Sequence, residues 1–258
     1  MSKLRELNCK VAKFVALHAK VSLLKDIRGG NTLNKEIFIK YPEMKTLFKL
    51  VPSTESGRKW DATSGEILPE TAALHFTPLD ELVFTEKIDG TNMGIRVTDG
   101  IVTHVQKREH ICDRNDKGDN FYFEVGDLIT KTIEDKKIVQ LNNVIIYGEL
   151  CGEKIQKGGN YFQGRRFIIF DIFDTVEEKF FTWDAVKHFA NELGIETVAE
   201  INYDKDDLKV ENVKEFILNQ KSVYNDKFGA EGIVIRHRKD TLPVRRYMAK
   251  IRKKDFKA

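Results

Sequence analysis

The chain has 258 residues, 41% of them hydrophobic and 32% charged, with a formal net charge of +3. That length holds one large domain or two small ones, and the balance is that of an ordinary soluble globular protein, not a fibrous or disordered one. No apolar run approaches membrane-spanning length and the start lacks the apolar core of a secretory signal, so neither a membrane span nor export is expected.

In chain order, residues 3–25 place Leu4, Leu7, Val11, Phe14, Val15, Val21 and Leu24 at near-helical spacing, closed by Gly29-Gly30. This predicts an amphipathic helix with a lysine-rich outer face. Residues 31–80 read as irregular, with Pro52, Pro69 and Pro78 and a polar run from Ser53 to Ser64. From 81 the pattern turns to short strands, predicted over 81–87, 93–98, 101–107, 144–150, 166–173, 231–237 and 246–252. Helices are predicted over 122–134, 182–193 and 207–220, the second with Thr182 as N-cap and Gly194 beyond its end. The expected fold is α+β: antiparallel β-sheets around a cleft, flanked by helices, with residues 1–80 as a helical N-terminal extension and 81–258 as the main domain.

Charge is unevenly placed. Residues 1–28 hold seven Lys/Arg against two acids, and residues 235–258 hold ten against two. The middle is correspondingly acidic. A basic terminal strand and tail follows a phosphate backbone, or it solubilises the chain end. Cys9, Cys112 and Cys151 are far apart with no Cys-x-x-Cys, and His110 beside Cys112 is a single pair. Neither zinc nor disulfides are expected, and a reducing, cytoplasmic setting fits. Phe121, Tyr122, Phe123, Tyr161 and Phe162 suit strand-core packing better than base stacking.

Four short segments carry polar groups on apolar strands. Phe84-Thr85-Glu86-Lys87-Ile88-Asp89-Gly90-Thr91-Asn92 puts a lysine at the end of a strand, before a turn whose glycine permits close backbone approach. Ile145-Ile146-Tyr147-Gly148-Glu149-Leu150-Cys151-Gly152 ends a β-rich run in a glutamate bracketed by glycines. Glu231-Gly232-Ile233-Val234-Ile235-Arg236 starts with a second carboxylate. Met248-Ala249-Lys250-Ile251-Arg252 sets two cations on one face of a strand. Each alone has an ordinary structural explanation, as a surface turn, a solvated strand end or an exposed edge. The order and spacing of all four together are harder to explain that way.

Together these segments resemble the covalent nucleotidyltransferase superfamily of ATP-dependent DNA ligases, RNA ligases and mRNA capping guanylyltransferases. Glu86-Lys87-Ile88-Asp89-Gly90-Thr91-Asn92 is most similar to the second phage RNA ligase family, which seals nicks in RNA duplexes. The resemblance runs from about residue 80 to about 253. It implies a nucleotidyltransferase, ATP-grasp-like ligase core that uses ATP and Mg²⁺ or Mn²⁺. It implies a monomer acting on RNA with 5′-phosphate and 3′-hydroxyl ends, without a membrane.

By the same resemblance Lys87 takes the nucleotide, and Lys250 and Arg252 complete the catalytic set. Glu86, Ile88 and Asn92 bind the cofactor beside it. Arg108 contacts the ribose or the acceptor phosphate, Glu149 the ribose or a metal, and Phe170 stacks on the purine. Glu231 is metal-associated with Glu149, and Lys250 contacts phosphate. Arg252 departs from the family, which usually has a second lysine there; arginine holds a phosphate bidentately but supplies no proton. Asp89 stands where some members have histidine.

The residue types also make chemical sense by themselves. A free lysine has a pKa of about 10.4 and is protonated at neutral pH, and nearby Lys250 and Arg252 disfavour that charged form. The same cations and a divalent ion stabilise charge on an α-phosphate and on departing pyrophosphate. Two carboxylates suit Mg²⁺, and an aromatic face suits a purine.

Six residues follow Arg252, so the C-terminal OB-fold of DNA ligases and capping enzymes is not expected, nor the helical C-terminal domain of the nick-sealing phage ligases. An ATP-dependent RNA ligase leads. A capping guanylyltransferase, a minimal DNA ligase and a noncatalytic RNA-binding module stay open.

Overall fold

The computed structural model describes residues 38–258 except 53–59, 63, 76, 137, 139–140, 156–160, 204–207, 244–245 and 257–258. The helix expected over 3–25 lies outside the described residues. The chain divides into two units, Met1–Lys40 and Tyr41–Ala258; all that follows concerns the second. This division falls earlier than residue 80. Residues 41–80 contribute Leu47, Phe48, Ala62 and Leu74 to a buried core, each at most 2% exposed.

Among the described residues ten strands form in chain order: β1 (Val51–Pro52), β2 (Trp60–Asp61), β3 (Leu82–Lys87), β4 (Thr91–Thr98), β5 (Ile101–Lys107), β6 (Val144–Gly152), β7 (Arg165–Asp174), β8 (Lys179–Phe180), β9 (Gly232–His237) and β10 (Met248–Arg252). The described α-helices are α1 (Ala72–His75), α2 (Asn120–Lys136), α3 (Trp183–Leu193) and α4 (Val210–Asn219). Among described residues no helix is long and apolar enough to cross a membrane.

Beside the β1–β2 pair the described strands form two antiparallel sheets, one ordered β10-β9-β3 and one ordered β5-β4-β6-β7-β8. This is the α+β arrangement the sequence predicts. Alternation along each strand gives each sheet two unlike faces. In the small sheet Leu82, Phe84, Ile233, Ile235, Ala249 and Ile251 share one face and pack with α4 residues Val213 and Ile217. The opposite face carries Thr85, Lys87, Val234, Arg236 and Lys250. In the large sheet Met93, Ile95, Ile146, Leu150 and Ile169 pack with Ile129 of α2 and Trp183 and Val186 of α3. The reverse face carries Asn92, Tyr147, Glu149 and Asp171. The polar face of each sheet therefore contributes to one cleft, and each apolar face has a core of its own.

The outer edge of β10 is covered by the segment before β1. Lys250 donates its amide to the Lys45 carbonyl at 2.9 Å, and Leu47 donates to the Lys250 carbonyl at 3.1 Å, a parallel bridge centred on Thr46. An edge strand is thus paired instead of left open.

Candidate active site

Lys87 is the last residue of β3, opposite Gly232 of β9. Ile88, Asp89 and Gly90 then carry the chain across to β4 in the other sheet, so the lysine stands where the two sheets meet. Gly90 is required by that crossing: a Cβ there would lie 2.5 Å from the Leu150 carbonyl oxygen and 2.7 Å from Glu149 Cγ. The turn is pressed onto β6 beside Glu149. Gly232 has the same function on the other side, since its Cβ would meet the Ile251 carbonyl oxygen at 2.1 Å. β9 and β10 therefore run close enough to set Glu231 and Lys250 beside Lys87.

A cleft of about 490 Å³ opens here, a volume suited to a nucleotide. Lys87, Ile88, Asn92 and Arg108 line it, as do Glu149, Phe170, Glu231 and Lys250. Lys87 Nζ donates to Glu231 Oε2 at 2.5 Å. The Glu149 carboxyl is pushed up to about 8, mainly by burial; Glu231 and Asp89 add to the rise, and Lys87 and Arg108 oppose it. Lys250 is held below the ordinary lysine range by burial first, then by Arg252, Lys87 and Arg108. The cleft thus holds the Lys87 amine, two carboxylates and a partly desolvated cation within electrostatic reach of one another.

Two predicted site residues are placed differently. Glu86 borders the cleft, but its side chain is 1% exposed and its carboxylate accepts from the Val223 amide at 2.7 Å. Burial raises its pKa, against hydrogen bonds from Ser222 and Val223. Arg252 is not among the lining residues. Its guanidinium is gripped by Asp255, with Nη2 to Oδ1 at 2.7 Å and Nε to Oδ1 at 3.1 Å, and it acts on the cleft through its field at Lys250.

Phe170 reaches the cleft through a bulge. Gly148 pairs with Ile169 and Tyr147 with Asp171, which leaves Phe170 as the extra residue of β7. A regular strand sends sequence neighbours to opposite faces, whereas a bulge re-aims one of them. Here Phe170 lines the cleft while Asp171 stays beside Tyr147 on the same side.

Sequence reasoning missed Tyr41, Pro42, Met44, Thr85, Val234 and Arg236 among the lining residues. Val234 and Arg236 were within reach of the two-residue alternation that singled out Lys250 and Arg252. Tyr41 carried no local signal.

The family model described as RNA ligase matches residues 80–252, well over half of the chain. The chain belongs to the RNA ligase family. Among solved structures, a point mutant of the Naegleria gruberi RNA ligase in its apo form superposes with a TM-score of 0.61 at 17% identity, covering 84% of this chain and 56% of that one. A second point mutant of that ligase, with ATP and Mn, gives 0.59 at 17% identity with the same coverage. The same ligase with PPi gives 0.56 at 17% identity, covering 83% and 60%. At these identities the likeness is one of fold, and this RNA ligase family member spans little more than half the length of those proteins. No curated protein sequence matches the chain significantly.

Proposed function

We propose that the cleft forms a lysyl-nucleotide and that the protein is an ATP-dependent RNA ligase. It would join a 3′-hydroxyl to a 5′-phosphate as a monomer. The observation that carries this reading is the convergence of Lys87, Glu231, Glu149 and Lys250 beside Phe170 in one nucleotide-sized cleft. Family membership supports it, and the Naegleria gruberi ligase is seen with ATP and Mn. The Glu86-to-Asn92 sequence is the feature favouring a nick-sealing, phage-like substrate.

Lys87 Nζ attacks the α-phosphorus of ATP. The Pα–N bond forms, the bond to the β-phosphate oxygen breaks, and pyrophosphate leaves. Glu231, which already accepts the Nζ hydrogen bond, is placed to receive the proton the amine must lose. Lys250, with Arg108 at the rim, stabilises charge on the phosphates. Phe170 and Val234 hold the purine, and Asn92 and Ile88 border it. Arg252 tunes Lys250 without touching substrate, and the Glu86 carboxylate braces the nucleophile's strand. An RNA 5′-phosphate oxygen then attacks the same phosphorus and releases the lysine. In the last step the 3′-hydroxyl attacks the activated 5′-phosphate and AMP departs.

The donor set fits Mg²⁺ or Mn²⁺. Glu149 is a carboxyl crowded by Glu231 and Asp89, and such ions take one or two carboxylates and complete their shell with phosphate oxygens and water. Glu149 and Glu231 would hold the ion. The ion supplies Lewis-acid polarisation of the phosphate oxygens. Cys112 and Cys151 are buried free thiols, which suits a reducing cytoplasm.

The test is covalent labelling with α-labelled ATP and, in parallel, α-labelled GTP. Label from ATP that is lost in Lys87→Ala is the expected result. GTP-only label would point to capping chemistry, and no label from either would leave a binding module.

A further inference from the structure

Tyr41 lies far upstream of the segment that defines the family, yet it lines the cleft. Its hydroxyl donates to Asp171 Oδ2 at 2.9 Å. Its ring meets Phe170 edge-on at 5.0 Å and also packs on Tyr147 at 5.1 Å and Phe180 at 5.8 Å. Edge-to-face contacts at such separations are favourable and directional.

The acceptor is itself immobile. Asp171 is fully buried between Arg246, at 3.1 Å, and Arg236, at 3.6 Å. Arg246 is held in turn by Asp240 at 2.8 Å, and its guanidinium caps the Phe180 ring at 3.9 Å. Burial and the Asp171 carboxylate keep the Tyr41 phenol protonated far above its ordinary range, so it remains a donor. The segment carrying Tyr41 is anchored farther along by the backbone bonds of Lys45 and Leu47 to Lys250.

Phe170, by contrast, is the extra residue of a bulge, with no residue of β6 directly opposite it. We propose that Tyr41 is a positioning residue for the nucleobase: through its hydroxyl on Asp171 and its ring edge on Phe170 it fixes the aromatic face on which the purine stacks. It acts through Phe170, and it deepens the proposed lysyl-nucleotide reading, on which it rests. Removing it leaves the reacting atoms untouched but lets the platform rotate, so nucleotide affinity falls while the chemical step survives.

The experiment measures ATP–pyrophosphate exchange on the full chain, with melting temperatures, for wild type, Tyr41→Phe, Tyr41→Leu, Phe170→Ala and the double variant Tyr41→Leu/Phe170→Ala. Tyr41→Phe is expected to raise KM for ATP about threefold and Tyr41→Leu about tenfold, each with kcat within twofold of wild type. In the Phe170→Ala background, Tyr41→Leu is expected to add less than twofold, because the group it positions is gone. Full additivity in the double variant, or kcat falling in step with the melting temperature, would overturn the positioning role. So would an unchanged KM in both Tyr41 variants while the wild type exchanges normally. Absence of exchange and of label in the wild type would overturn the underlying function as well.

Discussion

Glu149 occupies a position where burial and two neighbouring carboxylates oppose its ionisation, and its carboxyl is pushed up to about 8 from an ordinary value of 4.5. The consequence for stability has a definite sign. Below the ordinary carboxylate range both folded and unfolded chains keep the proton. Between that range and about pH 8 the unfolded chain releases it and the folded one does not, so stability falls as pH rises through this window. Glu149→Gln removes the loss. In urea melts without nucleotide or divalent ion, the variant should gain on wild type by about 2 kcal/mol between pH 5 and pH 8.5, less than full linkage because water and nearby cations screen the site. An equal difference at both pH values would mean that Glu149 is already ionised in the free protein. The four polar segments were legible as sequence because glycines flank the charged residue in three of them and two-residue alternation sets the cations in the fourth, and the cleft gathers Lys87, Glu149, Glu231 and Lys250 from all four. Arg252 shows the limit of that reading. Alternation puts it on the same strand face as Lys250, but Asp255, three residues on, captures its guanidinium.

At the level of single elements, local chemistry settled most boundaries. The helix predicted over 182–193 forms as Trp183–Leu193, with the Thr182 hydroxyl accepting from the Ala185 amide and Gly194 at φ 68° closing it. Both are local devices, so they are visible in sequence. Thr182→Ala should cost about 1 kcal/mol in a chemical melt. It should leave lysine labelling unchanged, because α3 packs on the face of the large sheet away from the cleft; a loss of label at full stability would contradict that placement. The strands predicted over 81–87, 101–107 and 166–173 appear as Leu82–Lys87, Ile101–Lys107 and Arg165–Asp174. β1, β2 and β8 are two residues each and carry no periodic signal. The bulge that aims Phe170 was equally silent, since it depends on the register between β6 and β7 and not on any residue of β7 alone.

For the molecule as a whole, the charge reading is the one most altered by folding. The ten cations of residues 235–258 suggested a phosphate track. Yet Arg236 and Arg246 pair with Asp171, Arg238 with Asp184 and Arg252 with Asp255. Much of that charge holds the fold together, and Arg236 and Lys250 are the members that line the cleft. The segment before residue 80 is altered in the opposite sense. Leu47 and Phe48 are buried core, and the Thr46–Lys250 bridge completes the small sheet. A chain beginning at Tyr41 should therefore keep lysine labelling within about threefold of the full chain. One beginning at Asp80, which retains all of the family-defining stretch, should lose labelling and melt cooperatively only at much lower temperature, or not at all. Equal labelling from both would show the upstream segment to be dispensable.

The sequence by itself determined the α+β class, the main strands and helices, and the polar segments that meet in the cleft. Those depend on period, capping and the chemistry of residues a few positions apart. The tertiary structure decided which neighbours those groups meet: Asp171 beneath Tyr41, Asp255 on Arg252, Gly90 against Leu150, and the strap that closes the edge of β10. Such pairings join residues far apart in the chain, and their energy comes from burial and close approach, for which local sequence has no periodic signature.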